Sequence, residues 1–467
     1  MIEYFIYNKD KEIHNIVYNI LTEIDLHFSI PLSERVSLID YSRKLAENAV
    51  IIIAKYYNKP IALTAFYNNF SQESFLSVIG VKPEYKNKGV ASTMINKMIQ
   101  LCKKNKTTSI FLKCDTSLIS FYNRFGFKHK EKDTLCNNQI SMALSINYEI
   151  KHFPFEETPV QYLKNISREY GINFYMKRDD LFPFAQGGNK ARKLQYILFK
   201  AKSEGYNAVV TAGDINSNHN RATALMCASM NMYAVLVVHN EHPELGKKSP
   251  NMLMCKLAGA KIVFCSKSTV SETMNSELRQ ITNEGYKPYY IWGGGHCLEG
   301  SYSYYEAIEN LKKQINFIPD TFFFASGTGT THAGIHVGVN DFFPNMRAIG
   351  ISIARNKERG ITEIHKSIIE LENFLGTEES DISNILFLDN YIGKGYESIE
   401  KEINNTIKKI ALCEGVILDP TYTGKAFYGM LDFITNHNND YYKGKNVLFW
   451  NTGGIYNLLA HISEIKL

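Results

Sequence analysis

Two α/β modules in tandem are predicted by this sequence, a shorter one running to about residue 146 and a longer one starting near residue 158. Three observations carry the prediction. A chain of 467 residues is too long for one core and suits two or three domains. The pattern of apolar runs changes across 147–157, a polar and aromatic stretch with prolines at 154 and 159 that reads as a connector. Beyond it, strand-like runs alternate with helical stretches, and repeated βα order means a largely parallel sheet.

Composition narrows the class. Apolar residues make up 45% and charged residues 21%, which excludes disorder and fibrous repeats. The balance of 52 Lys and Arg against 47 Asp and Glu, with no basic run, argues against a nucleic-acid partner. The eight cysteines, at 102, 114, 136, 227, 255, 265, 297 and 413, are scattered without C-x-x-C or zinc spacing, so reduced thiols and no metal are expected. Charges at positions 3 and 9 to 12 interrupt any signal-peptide core, and no apolar stretch spans a bilayer. A cytoplasmic protein with no membrane partner is expected.

In the first module, Ala49 to Lys55 and Pro60 to Tyr67 read as a β-hairpin turning at Asn58-Lys59. Phe75 to Val81 is a further strand, and Val90 to Lys103 carries Ala91, Met94, Ile95, Met98, Ile99 and Cys102 at helical spacing. Between strand and helix lies Val81-Lys82-Pro83-Glu84-Tyr85-Lys86-Asn87-Lys88-Gly89-Val90-Ala91. Backbone N–H groups converging at such a helix start bind anions, pyrophosphate above all. Gly89 permits close approach, Asn87 tolerates the left-handed conformation, and Ala91 is small enough for a ligand to lie against the helix.

This loop, with the later FLKCDTSLISFYNRFGFK of Phe111 to Lys128, resembles the GNAT acetyltransferase family over residues 1–146. Lys86 stands where the family has Arg or Gln, and Asn87 where Gly is common. The resemblance implies acetyl-CoA as co-substrate, held by Val81, Lys86, Asn87, Lys88, Gly89, Val90 and Ala91, with Tyr122 protonating the departing thiolate. The alternative is that Tyr122 is a packed aromatic in a module kept as a docking domain. No acceptor-binding residue is readable.

In the second module the strand-like runs are Asn207 to Thr211, Tyr233 to Val238, Lys261 to Cys265, Thr321 to Ala325, Ala348 to Ile353 and Asn446 to Trp450. Gln186-Gly187-Gly188-Asn189-Lys190 sets a lysine on a glycine-rich approach to a helix, where its ammonium is disfavoured. Ser326-Gly327-Thr328-Gly329-Thr330-Thr331 follows an apolar strand and opens a helix, a cup for a phosphate. It lacks the Walker and dinucleotide signatures. A lysine before and a phosphate cup after is the requirement of pyridoxal phosphate.

Three more segments, Ala212 to Arg221, Leu418 to Ala426 and Asn451 to Gly454, complete a resemblance over residues 153–467 to the D-cysteine desulfhydrase and 1-aminocyclopropane-1-carboxylate (ACC) deaminase family of fold-type-II enzymes. It implies a two-subdomain, tryptophan synthase β-like α/β domain, pyridoxal phosphate, a small amino-acid substrate and a homodimer. By the same resemblance Lys190 forms the Schiff base and moves the Cα proton, Asn218 donates to the phenolate oxygen, and Gly327, Thr328, Gly329, Thr330 and Thr331 hold the phosphate. Ser217, Asn218 and His219 meet the substrate, Tyr396 and Tyr422 line its pocket, and Thr452 faces the pyridine nitrogen.

A neutral hydroxyl at that nitrogen favours elimination over transamination. Thr423 stands where the deaminase branch has Glu, so Tyr422-Thr423-Gly424-Lys425-Ala426 fits the desulfhydrase branch. His296 and Cys297 contact a polar leaving group, or are a satisfied loop histidine and an inert thiol. Asp179 and Asp180 read as structural partners of Arg178 or Arg192. The expected function is bifunctional: β-elimination on a small, D-configured amino acid such as D-cysteine, fused to an N-acetyltransferase. The alternatives are β-replacement, racemisation or desulfonation, or acetyl transfer alone beside a pyridoxal-phosphate fold serving as a sensor or scaffold.

Overall fold

Seventeen strands are distributed over three sheets among the described residues of the computed structural model. Those residues are 2–465 except 71–72, 106, 130–138, 147–149, 241, 243, 245, 247–248, 378–379, 397 and 438. Cys136 and the connector residues 147–149 therefore lie outside the description. The chain divides into two compact units, 1–149 with 372–378 and 150–371 with 379–467.

The first unit holds β1 (Ile2–Asn8), β2 (Val50–Tyr56), β3 (Lys59–Phe70), β4 (Glu73–Val81), β5 (Ser109–Asp115), β6 (Lys128–His129) and β7 (Gln139–Ser145) in the order β1-β2-β3-β4-β5-β7-β6. Every pair is antiparallel except β4 with β5. The Ile-rich run in β2 is buried on both faces because helices cover both. Ile52 and Ala54 meet Met94, Ile95 and Met98 of the helix Val90–Lys104. Ile51 and Ile53 meet Val17, Leu21 and Leu45 of the helices His14–Ile24 and Leu38–Asn48. The hairpin turns one residue earlier than expected. Tyr56 pairs with Lys59, and Tyr57 and Asn58 take φ of 45° and 61°, the paired left-handed geometry that suits strand twist.

The second unit has two sheets. One is parallel, in the order β12 (Lys261–Cys265), β11 (Tyr233–His239), β10 (Ala208–Gly213), β13 (Pro288–Ile291). The other runs β16 (Leu386–Leu388), β15 (Arg347–Ser352), β14 (Thr321–Ser326), β17 (Asn446–Asn451), β9 (Asn173–Arg178), β8 (Val160–Tyr162), antiparallel only at β8. All six predicted runs are strands. Phe323, Ile349, Ile351 and Phe449 fill one face of the larger sheet with Phe427, Met430 and Ile434 of the helix Thr423–His437. Phe322, Phe324 and Trp450 fill the other with Tyr304 and Ile308. The alternation of inward residues along each strand is the period of two that a covered parallel sheet requires.

Under this sheet Asp179 is fully buried. It accepts hydrogen bonds from Arg192 (2.8 and 3.0 Å), Thr158 (2.8 Å) and Tyr304 (2.7 Å), while Asp180 pairs with Arg178 at 2.7 Å. Both aspartates have the structural partners expected of them. No helix among the described residues is long and apolar enough to cross a membrane, and no described cluster of His, Cys, Asp and Glu could hold a metal ion.

Candidate functional site

Strand ends and helix starts meet in the second unit around a cavity of about 450 Å³. This is where open parallel sheets bind ligands, because helix N-termini and loops converge beyond the carboxyl ends of the strands. The lining includes Lys190, Ser217, Asn218, His219, Gly327, Thr328, Gly329, Thr331, Tyr396, Tyr422 and Thr452.

Lys190 is the second residue of the helix Asn189–Ser203. Ala185, Gln186, Gly187 and Gly188 before it all have positive φ, from 47° to 93°. A Cβ on Gly187 would lie 2.2 Å from the Asp180 carbonyl oxygen, and one on Gly188 would lie 3.0 Å from that of Thr452. The glycines thus let three backbones stack, and the Asn189 N–H donates to the Thr452 carbonyl at 3.0 Å. Lys190 Nζ donates to the Gly294 carbonyl at 3.0 Å. Burial lowers its pKa to about 8, which raises the fraction of nucleophilic amine.

Arg221 crosses the same junction. It is buried, donates from Nη2 to the Gly187 carbonyl at 3.2 Å, and its guanidinium lies 4.7 Å from the centre of the Tyr456 ring. It belongs to the helix Asn218–Ser229, whose N-cap is Ser217. The Ser217 hydroxyl accepts from the Asn220 N–H at 3.2 Å, so part of its bonding capacity goes to the cap. His219 Nε2 bonds Thr211 Oγ1 at 2.9 Å, and burial with Lys190 and Lys193 nearby keeps the ring neutral.

After β14, Gly329 caps the helix Thr330–Phe342 with φ of 105°, and a Cβ there would press on Ile364 backbone at 3.2 Å. Thr331 Oγ1 accepts from Asn189 Nδ2 at 3.3 Å, and the Thr328 carbonyl accepts from Arg355 Nη1 at 2.9 Å. Thr330 is buried outside the lining, its hydroxyl without a hydrogen-bond partner. Tyr396 and Tyr422 join hydroxyl to hydroxyl, with rings edge to face at 5.8 Å. Asp419 accepts from the N–H groups of Thr421, Tyr422 and Thr423 and from the Thr423 hydroxyl, at 2.7 to 3.0 Å. Thr423 is therefore a lock on the Tyr422 turn, and it does not line the cavity.

Pyridoxal phosphate fits these residues. Asn218 Oδ1 in the lining is a buried polar atom without a partner, and such an atom is costly unless a ligand or water meets it. The cup supplies helix N–H groups, Arg355 adds positive charge in the same lining, and Lys193 adds a second amine. Burial and the nearby Lys190 drive the pKa of Lys193 well down, which an arriving dianion would reverse. The sequence reading gave no role to Lys193 or Arg355. The K-x-x-K spacing could have flagged Lys193, one helical turn beyond Lys190, whereas nothing local marks Arg355. His296 and Cys297 do not line the cavity. His296 bonds the Ser367 hydroxyl at 3.4 Å, and burial pushes the Cys297 thiol up to about 12, so they are the satisfied loop histidine and the inert thiol.

The first unit has a cavity of about 580 Å³. Strand β4 pairs with β5 only from Glu73 to Leu76, so Ser77–Val81 leaves that partner and opens a cleft. Val81, Lys86, Asn87, Gly89, Val90 and Ala91 line it, as does Tyr122. Asn87 and Gly89 take φ of 60° and 78°, and Gly89 is the N-cap of the helix Val90–Lys104. Lys88 does not line the cavity; its ammonium sits 5.2 Å from the centre of the Tyr85 ring. Tyr122 is buried, and burial with Cys114 nearby raises its pKa, so the phenol keeps its proton.

Two family models match the chain: "Pyridoxal-phosphate dependent enzyme" over residues 153–453 and "Acetyltransferase (GNAT) family" over residues 15–127. A Thermotoga maritima protein named "Putative 1-aminocyclopropane-1-carboxylate deaminase" is 34% identical over 308 residues, 65% of this chain and 95% of its own. The D-cysteine desulfhydrase of Klebsiella pneumoniae is 32% identical over 311 residues, 65% of this chain and 93% of its own. A crystal structure of an ACC deaminase homologue superposes with a TM-score of 0.61 at 34% identity, covering 68% of this chain and 94% of that one.

Proposed function

We propose, from the premise that this chain belongs to the pyridoxal-phosphate dependent enzyme family and carries a GNAT acetyltransferase domain before it, that it is bifunctional. The second unit would catalyse β-elimination on a small, D-configured amino acid, with D-cysteine giving a keto acid, ammonia and sulfide. The first would transfer an acetyl group from acetyl-CoA to an amine. The observation that carries the first half is the shared lining of one cavity by Lys190, Ser217, Asn218, Thr328, Tyr396, Tyr422 and Thr452.

Bound pyridoxal phosphate supplies an electron sink that acidifies the Cα–H bond of an amino acid. Lys190 Nζ would hold the cofactor's aldehyde at rest and take the proton from Cα during reaction, an exchange suited to an amine whose pKa is near 8. Ser217 and Asn218 would orient the substrate carboxylate, and the Tyr396 and Tyr422 hydroxyl pair would hold a proton beside the departing β-substituent. The Thr452 hydroxyl would leave the pyridine nitrogen uncharged and so favour elimination. Thr423, spent on Asp419, supports the desulfhydrase over the deaminase reaction. Homodimer formation through the second unit is part of this proposal.

One observation favours a second reading. Besides Lys190 and Lys193, whose ammonium forms burial disfavours, the lining carries Lys267 and Arg355 against one described carboxylate, Asp214. An excess of cations suits an anionic β-substituent, and loss of a sulfonate would follow the same elimination. The test is to incubate the cofactor-loaded protein with D-cysteine, L-cysteine, ACC and cysteate beside a Lys190→Ala control. Lysine-dependent keto acid with sulfide from D-cysteine supports the first reading, and sulfite from cysteate the second. Keto acid from none of them refutes elimination on this class of substrate.

A further inference from the structure

Lys425 is a fully buried lysine whose ammonium meets only backbone oxygen among the described residues. It is the third residue of the helix Thr423–His437. Its Nζ donates to the carbonyls of Ile392 (2.8 Å) and Gly395 (2.9 Å), with those of Ile353 (3.4 Å) and Tyr396 (3.5 Å) completing a cage of four. An ammonium has three N–H groups for these four oxygens. Glu400 and Asp419 are near enough to act on its charge, but neither accepts a hydrogen bond from it. Asp419 is engaged by the Tyr422 turn and Glu400 by the Lys394 N–H.

A ring of carbonyls around one positive charge is how proteins replace the hydration shell of a monovalent ion. Here the charge arrives on a side chain. The caged carbonyls belong to the loop that carries Tyr396 and to the residue after β15, two positions before Arg355. Tyr396 in turn bonds Tyr422, three residues before Lys425. The cage therefore closes a circuit that holds both tyrosines on the cavity wall.

We propose that Lys425 is a tethered monovalent cation: it occupies a carbonyl cage fit for potassium or ammonium, frees the enzyme from any need for those ions, and positions the Tyr396 loop. Removing the side chain would uncover an ion site. The importance of the loop rests on the reading of Tyr396 and Tyr422 as substrate-side residues, whereas the ion site does not.

The experiment compares full-length wild type, Lys425→Ala and Lys425→Met in chlorides of potassium, ammonium and tetramethylammonium at equal ionic strength. Melting temperature, with and without cofactor, and keto acid release are both read. Wild type should be the same in all three salts. Lys425→Ala should lose kcat by about 10-fold or more in tetramethylammonium, and regain most of it, with a higher melting temperature, in potassium or ammonium. Lys425→Met, whose side chain fills the space, should not be rescued. A potassium requirement in wild type overturns the proposal, as does a Lys425→Ala protein whose melting temperature is the same in every salt or which folds in none. Folding of Lys425→Ala in potassium alone supports it. Should no amino acid yield keto acid, the melting temperatures of the cofactor-free proteins still decide the ion site.

Discussion

Lys190 shows what one residue owes to its surroundings. The glycine-rich approach is plain in the sequence, yet the lowered pKa comes from burial beneath the Gly294 loop, more than a hundred positions away. In the cofactor-free protein, reaction of Lys190 with pyridoxal phosphate should rise with pH about a midpoint near 8. The sign follows from burial disfavouring the ammonium, so the reactive amine gains as pH climbs; a midpoint at the ordinary lysine value, read from the absorbance of the adduct, would refute it. Tyr122 makes the opposite case, a phenol whose raised pKa keeps it protonated, and under the proposed acetyl transfer that proton would go to the departing thiolate. Tyr122→Phe should reduce acetyl transfer on the order of 100-fold while leaving acetyl-CoA affinity within about twofold, measured by thiol release and by titration calorimetry. Arg355 was illegible as a site residue, because a lone arginine after a strand looks the same wherever its guanidinium ends.

At the scale of elements, caps and turns are local chemistry, and most were readable. Asn87 and Gly89 were expected to take special conformations and do so. Nothing lies within 4 Å of a Cβ placed on Gly89, so Gly89→Ala should cost about 1–2 kcal/mol through backbone strain alone. Thermal denaturation would measure the loss, and acetyl-CoA affinity should fall with it. The hairpin slip to Tyr57-Asn58 shows the limit, since register is set by strand twist and by which residues of β2 face each helix layer. The helix start at Lys190 hangs on the buried Asp179 and Arg192 pair. Arg192 holds Asp179 at about 2 against an ordinary 3.8, despite burial that opposes ionisation. A depressed carboxyl contributes stability that is present above pH 3.8 and is lost as pH falls toward 2. Asp179→Asn should flatten that acid limb and cost about 3 kcal/mol by removing the fully buried one of Arg192's carboxylate partners, Glu157 remaining at 3.0 Å. A variant with an unchanged acid unfolding curve would show that the pair is not what holds this turn.

For the whole molecule, the two cavities lie in separate units and share no lining residue. Lys190→Ala in the full chain should therefore abolish keto acid release and spare acetyl transfer, and Tyr122→Phe should do the reverse. Loss of both activities in either variant, assayed side by side, would contradict independent sites. The sequence by itself determined the two-module order and both families, and nearly every residue it singled out lines one of the two cavities, because glycine-rich turns, helix starts and alternating strands are written in contiguous residues. Only the tertiary structure decided that Thr330, Lys88, His296 and Cys297 sit outside the linings, that Lys193 and Arg355 join one of them, and that carbonyls of the Tyr396 loop surround Lys425. Those outcomes depend on which side chains meet across distant strand ends, and packing settles that after the local pattern has been spent.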